Sequence, residues 1–204
     1  MDDARDDWER LLSRGARQSR RAIELSALSE PELPALLRIL RSRSAPFDFV
    51  SVHAPTKNRT VGDRQLVQWL LPVLDRIDSV VFHPDAIDDP EALEALGPKL
   101  AIENMDSRKQ GGQTADQLEP LMDSLPEARL CFDVAHAGSV DHDMDAGAEI
   151  LDRYWDRLSH VHLSSLDDRC HHVPITSADL ERFWPLLARC RDLPWILEAP
   201  LQKG

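Results

Sequence analysis

Short runs rich in Val, Ile, Leu and Phe recur along the chain, separated by polar segments with apolar positions at helical spacing. The runs predict strands near 21–26, 49–54, 79–84, 99–105, 129–135, 159–164 and 195–199. They are nearly continuous rather than alternating, as expected for parallel strands covered on both faces. Their start-to-start spacing of 20 to 36 residues suits strand–helix–strand units.

The intervening segments carry helix signals. Asp89-Pro90 ahead of EALEALG supplies an N-cap, a first-turn proline and a terminal glycine. Thr114 with Gln117 predicts a capping box. Ser177 is positioned to cap DLERFWPLLARC, where Leu180, Phe183, Leu186 and Leu187 form a stripe and Pro185 should bend or interrupt the helix. Ala146, Ile150, Leu151, Tyr154 and Leu158 mark another stripe. Such stripes read as core packing.

Alternating βα units leave a closed barrel or a doubly wound open sheet. An open sheet gathers its functional groups at one switch point. Here successive runs end in chemically competent groups: FVSVHAP (His53), SVVFHP (His83), LAIENM (Glu103), LCFDVAH (Asp133, His136), SHVHLSS (His160, His162) and WILEAP (Glu198). That layout predicts a (β/α)8 TIM barrel, one domain over residues 1–204, with its site at the carboxyl ends of the strands. Only seven strands are found. A helix (Trp8, Leu11, Leu12) precedes the first, and no closing helix follows the last. The expectation is a barrel lacking its first strand and closing helix. Either the polypeptide starts upstream or homodimerisation covers the open edge.

The chain is 42% hydrophobic and 29% charged, ordinary for a globular domain. No apolar stretch approaches the ~18 residues that span a bilayer, so no membrane association is expected. MDDARDDWER lacks the apolar core of a signal peptide. Three cysteines (Cys131, Cys170, Cys190) make no disulfide framework and fit a reducing cytoplasm. The net charge is −12, and residues 1–46 are nearly balanced, with 9 basic against 8 acidic groups. Bulk acidity argues against broad nucleic-acid binding, which depends on neutralising phosphates, although Arg14, Arg17, Arg20, Arg21, Arg38, Arg41 and Arg43 allow a local basic rim. Solvated helix faces are the simpler account of that rim.

Side chains alternate along a strand, so inward-facing Glu103, Asp133, His162 and Glu198 would converge at one end of the barrel. Buried carboxylates are costly unless paired or metal-bound. Three carboxylates and one imidazole make an oxygen-rich site suited to Mn2+, Mg2+ or Co2+, with Zn2+ an alternative. His53 and His83 end consecutive strands and could share Glu103 around a second metal. His136 and His172 could hold a third, with Cys170 as a further ligand. A lone His at a strand end is more often structural, and Cys131 reads as core. His142 reads as solvated, and His171 is a weak candidate. The loop NMDSRKQGGQT offers Arg108 and Lys109 to a phosphate or carboxylate of substrate, against the alternative of a plain surface loop.

The pieces AIELSA, SVHAP, VFHP, AIENM, FDVAHAG, HVHLSS, HHVPI and LEAP, in this order over roughly residues 20–200, resemble the xylose-isomerase-like TIM-barrel superfamily. That superfamily includes sugar-phosphate isomerases and epimerases and endonuclease IV. By this resemblance Glu103, Asp133, His162 and Glu198 match the common metal ligands, and the two glutamates serve as acid/base pair in the isomerase branch. In the endonuclease branch, His53 and His83 match ligands of an extra zinc and His136 one ligand of a third. That branch has an Asp-x-His pair where this chain reads Cys170-His171-His172.

Three functions follow as expectations. The first is a divalent-metal-dependent isomerase or epimerase acting on a sugar or sugar phosphate, with Glu103 and Glu198 exchanging the proton alpha to a carbonyl. The second is a zinc phosphodiesterase acting on abasic DNA, motivated by His53, His83 and His136 but opposed by the acidic charge. The third is a truncated barrel that binds without turnover. The first is preferred, because it needs one metal and a small substrate.

Overall fold

In the computed structural model, which describes residues 7–199, the seven predicted runs form seven parallel strands. The described chain divides into two units. One runs to Phe82 and takes in Ala86–Leu100, and the other combines His83–Asp85 with the chain from Ala101 onward.

In the first unit β1 (Ala22–Ser26), β2 (Phe49–His53) and β3 (Ser79–Phe82) pair in sequence order and in parallel. Helix α1 (Trp8–Gln18) is capped by Asp7, which accepts from Arg10 N, and buries Trp8 and Leu12. Helix α2 (Leu33–Ser42) buries Leu33, Leu36, Leu37 and Leu40, the spacing of a single helical face. Each such leucine contributes roughly 1.5–3 kcal/mol by leaving water. Helix α3 (Asp63–Leu70) starts at a buried aspartate. Asp63 accepts from Arg59 Nη2 at 2.7 Å and from the backbone N–H groups of Asp88 and Asp89 at 2.6 and 2.8 Å. Those bonds fix the start of α4 (Pro90–Leu93), whose N-cap Asp89 accepts from Ala92 N as predicted.

The second unit holds β4 (Leu100–Glu103, from its second residue), α5 (Ala115–Ser124), β5 (Arg129–Asp133), α6 (Val134–Val140), α7 (Asp145–Tyr154) and β6 (Leu158–Leu163). After these come β7 (Ser165–Leu166), β8 (His172–Val173), α8 (Ser177–Leu187) and β9 (Trp195–Leu197). Strands β4, β5, β6 and β9 pair in that order, all in parallel. Arg157 donates to the carbonyls of Ala128, Met122 and Leu125, satisfying groups exposed where α5 ends.

Parallel pairing in sequence order, without the reversal of a doubly wound sheet, is the winding of the (β/α)8 TIM-barrel class. Seven of its parallel strands stand among the described residues, with α1 the first described element and β9 the last. No described helix is long and apolar enough to cross a membrane.

Several local expectations are corrected. The cap of α8 is Thr176, which accepts from Asp179 N, rather than Ser177. Pro185 does not interrupt α8, and Leu180 is exposed at 38% instead of joining the buried stripe. Thr114 accepts from Gln117 N, but Gln117 reaches back to Gln113 N, so only half of the capping box forms. The antiparallel hairpin of β7 and β8 has no counterpart in the apolar pattern.

Candidate metal centre

The site is built at the carboxyl ends of β4, β5, β6 and β9. A bulge sets it. Leu130 pairs with Leu158, but Cys131 pairs with His160, so Ser159 is the extra residue. Without that residue Asp133 would face Val161, and its side chain would miss His162. With it, Asp133 stands directly opposite His162. Glu103 lies across from Cys131, two residues before Asp133, and Glu198 lies two residues beyond Ile196, the partner of His162. A period of two puts all four groups on one face.

These four predicted ligands do come together. One donor atom from each of Glu103, Asp133, His162 and Glu198 lies within 4.8 Å of the others. Glu103, Asp133 and His162 are buried, and the Glu198 side chain is 16% exposed. His162 Nδ1 is 2.9 Å from Glu103 Oε1 and 3.3 Å from Glu198 Oε1. Asp133 Oδ1 accepts from His136 N at 2.7 Å and so caps α6, while its Oδ2 is buried with no hydrogen-bond donor. Burial pushes the Asp133 carboxyl up to about 7, with His136 opposing and the negative charges of Glu198 and Glu103 adding to the rise. A buried oxygen without a donor, in a cluster carrying excess negative charge, fits a divalent cation.

Three further imidazoles surround this set. His83 Nε2 lies 2.9 Å from Glu103 Oε2. His136 Nδ1 contacts the Asn104 carbonyl at 2.9 Å, with Glu103 Oε1 at 3.7 Å and Asp133 Oδ2 at 3.6 Å. Burial alone would lower the His136 pKa, but the charges of Asp133, Glu103 and Glu198 outweigh it and raise it. His172 Nδ1 is 2.8 Å from Ser164 Oγ and 3.0 Å from Glu198 Oε2. Burial dominates there and lowers its pKa, which favours the neutral ring that can coordinate. Donor atoms of Asp133, His136 and His172 also lie within 4.8 Å of one another.

Cys170 does not join that group. Its Sγ is 3.9 Å from Ser107 Oγ, and its backbone is left-handed at φ 51°. His53 ends β2 in the first unit, buried, with Nδ1 2.9 Å from the Ala54 carbonyl. His171 is exposed beside Asp167 at 3.2 Å, and exposed His142 meets Arg182 Nη1 at 3.1 Å.

Arg108 and Lys109 sit in the loop after β4. Arg108 binds both carboxylate oxygens of Asp106 at 2.9 Å and the Arg169 carbonyl at 2.6 Å. Burial would raise the Asp106 carboxyl, but hydrogen bonds from Arg108 bring it down to about 2. Lys109 Nζ pairs with Asp85 at 2.5 Å.

Asn104 and Asp106 were not singled out in the sequence. Both are buried polar residues just past the β4 run. The one signal was their position, immediately after a site glutamate at a strand end.

The model of one family, the xylose isomerase-like TIM barrel, matches residues 89–201, more than half of the chain. The chain belongs to this family. No curated protein matches it in sequence. Among solved structures it is similar to an apo 3-keto-D-glucoside 4-epimerase from E. coli, at 12% identity and a TM-score of 0.49, covering 85% of this chain and 79% of that one. It is also similar to the N-terminal domain of a proposed aldolase from Bacteroides vulgatus, at 14% identity and a TM-score of 0.49, covering 88% of this chain. This chain spans 60% of that second structure's length. The matched segment of the family contains Glu103, Asp133, His162 and Glu198.

Proposed function

We propose that this family member is a divalent-metal-dependent isomerase or epimerase of a sugar or sugar phosphate. The observation that carries the reading is the placement of Glu103 and Glu198 against a single His162 Nδ1, at 2.9 and 3.3 Å, beside the buried Asp133 carboxyl. A divalent ion (Mn2+, Mg2+, Co2+ or Zn2+) held by Glu103, Asp133, His162 and Glu198 would supply Lewis-acid polarisation of a carbonyl and its neighbouring hydroxyl. Glu198 is the less buried glutamate, and its Oε2 has no well-directed donor despite its approach to His172. That oxygen is the one positioned to take the proton alpha to a carbonyl. Glu103, fixed between His83 and His162, returns the proton. In the loop after β4, Arg108 and Lys109 would meet a phosphate or carboxylate only by leaving Asp106 and Asp85.

The test is proton exchange. Metal-loaded protein is incubated in D2O with aldoses, ketoses and their phosphates, and carbon-bound deuterium is read by NMR. Exchange that falls at least about 100-fold in Glu198→Gln supports the reading. No exchange into any member of the panel removes it.

One observation favours a second reading. Asp133 belongs both to the four-ligand set and to the group with His136 and His172, and His83 adds a third imidazole at Glu103. Adjacent metals sharing carboxylates are how phosphodiesterases clamp both sides of a phosphate. Cleavage of an abasic-site oligonucleotide by zinc-loaded protein, without sugar exchange, would move the function there.

A further inference from the structure

The same bulge that aligns Asp133 with His162 aligns a second pair one rung earlier, Cys131 with His160. The two rungs share a face and lie about 7 Å apart along the strands. Cys131, His160 and His162 are all 0% exposed. One donor atom from each lies within 4.8 Å of the others. The rings of His160 and His162 meet edge to face, with centroids 5.3 Å apart. Cys131 is not part of a disulfide.

We propose that Cys131, His160 and His162 form a second, buried metal site of sulfur–nitrogen type, sharing His162 with the carboxylate site and taking Zn2+ or Co2+. Its chemistry differs from that of the rung above. One thiolate and two imidazoles prefer soft or borderline ions, whereas three carboxylates and an imidazole prefer hard ones. His160 Nδ1 is engaged with Ser159 Oγ at 3.0 Å, so Nε2 is its ligand atom. His162 turns Nδ1 to Glu103 and Glu198, so it serves the lower rung through Nε2 and bridges the two sites. Electrostatics favour the arrangement. A divalent ion and one thiolate leave a net positive charge in the interior, next to the three carboxylates of Glu103, Asp133 and Glu198. Binding releases the thiol proton, so occupancy rises with pH. The proposal does not rest on the isomerase reading, since Cys131 and His160 are ligands that reading leaves unused and only His162 is common to both sites.

The experiment is a cobalt titration of the metal-free full chain, read by absorption spectroscopy. Wild type is expected to develop a thiolate-to-cobalt charge-transfer band whose final intensity corresponds to one thiolate-bound ion per chain, cobalt at the carboxylate rung adding no such band. Cys170→Ser and Cys190→Ser should keep it, and Cys131→Ala should lose it while still binding Mn2+ at the carboxylate rung. Cobalt-saturated wild type without the band, or a band that survives in Cys131→Ala, overturns the site. Should Cys131→Ala fail to fold, X-ray absorption of zinc-loaded Cys170→Ser decides the question. One sulfur at about 2.3 Å from zinc supports the site, and a shell of nitrogen and oxygen alone overturns it. Loss of the sulfur signal with sugar exchange intact would sink this proposal and leave the isomerase reading standing.

Discussion

The side chain of Asn104 is bonded twice to the backbone of Asp133: Oδ1 accepts from Asp133 N at 2.8 Å, and Nδ2 donates to Asp133 O at 2.9 Å. Both residues are fully buried, so this amide fixes the end of β5 against the end of β4 and aims the Asp133 carboxyl. Asn104→Ala should leave the Asp133 N–H and carbonyl without these partners. Each buried group so orphaned costs about 1–3 kcal/mol. The expected outcome is a lower Tm and about 10–100-fold weaker Mn2+ binding, as for other residues that orient ligands. Thermal unfolding and a metal titration check this. Unchanged Mn2+ affinity would show that Asp133 is oriented by other contacts.

The convergence of the four candidate ligands was legible because each ends an apolar run, where a polar residue stands out. Glu103, Asp133, His162 and Glu198 meet as the alternation predicts. The strand number and winding were legible for the same reason. What escaped depends on offsets between strands. The pairing of Cys131 with His160 exists only because Ser159 is bulged, and no single run of sequence announces a bulge. Asn104 and Asp106 escaped because they lie past the apolar run and read as loop. The cap of α8 was misplaced by one residue because Thr176 and Ser177 are both good caps, and the bond that decides comes from Asp179 N.

Stability of the metal-free protein should fall as pH rises from about 4 to about 7. Burial lifts the Asp133 carboxyl from its ordinary 3.8 to about 7, so across that window the folded state holds a proton that the unfolded chain releases. His136 acts in the same direction. Its folded pKa is raised, so its contribution is full below its ordinary 6.5 and is lost as pH climbs through the folded value. The combined effect is on the order of a few kcal/mol. Asp133→Asn should flatten the slope. Saturating metal should reverse it, because bound metal displaces these protons. Unfolding midpoints in urea at several pH values measure the slope, and a metal-free midpoint rising from pH 4 to 7 would contradict it.

Asp106 has the opposite sign. Burial opposes its ionisation, but the Arg108 side chain and backbone N–H hold the carboxyl at about 2, below its ordinary 3.8. The resulting stability is present above the ordinary value and disappears as pH falls toward 2. The Arg108 side chain is 49% exposed, so screening reduces the gain to about 1 kcal/mol. Arg108→Ala should move the acid-unfolding midpoint, followed by circular dichroism, to higher pH while changing stability at neutral pH only by that amount.

Gly112 closes the loop that carries Arg108 and Lys109. Its φ is +76°, and its carbonyl accepts from Met105 N at 2.8 Å. A Cβ there would lie 2.6 Å from Pro84 Cγ and 3.1 Å from Met105 Cγ. Gly112→Ala therefore combines a left-handed backbone, unfavourable for alanine, with a clash against a rigid proline ring. The expected loss is about 1–3 kcal/mol. Because Pro84 follows His83 directly, relief of the clash should also shift His83 relative to Glu103. Gly111→Ala is the control, since its Cβ would meet nothing within 4 Å. A lower Tm and weaker metal binding in Gly112→Ala, with Gly111→Ala close to wild type, is the expected pair of results. Equal behaviour of the two variants would mean the loop relaxes around the added methyl and does not fix His83.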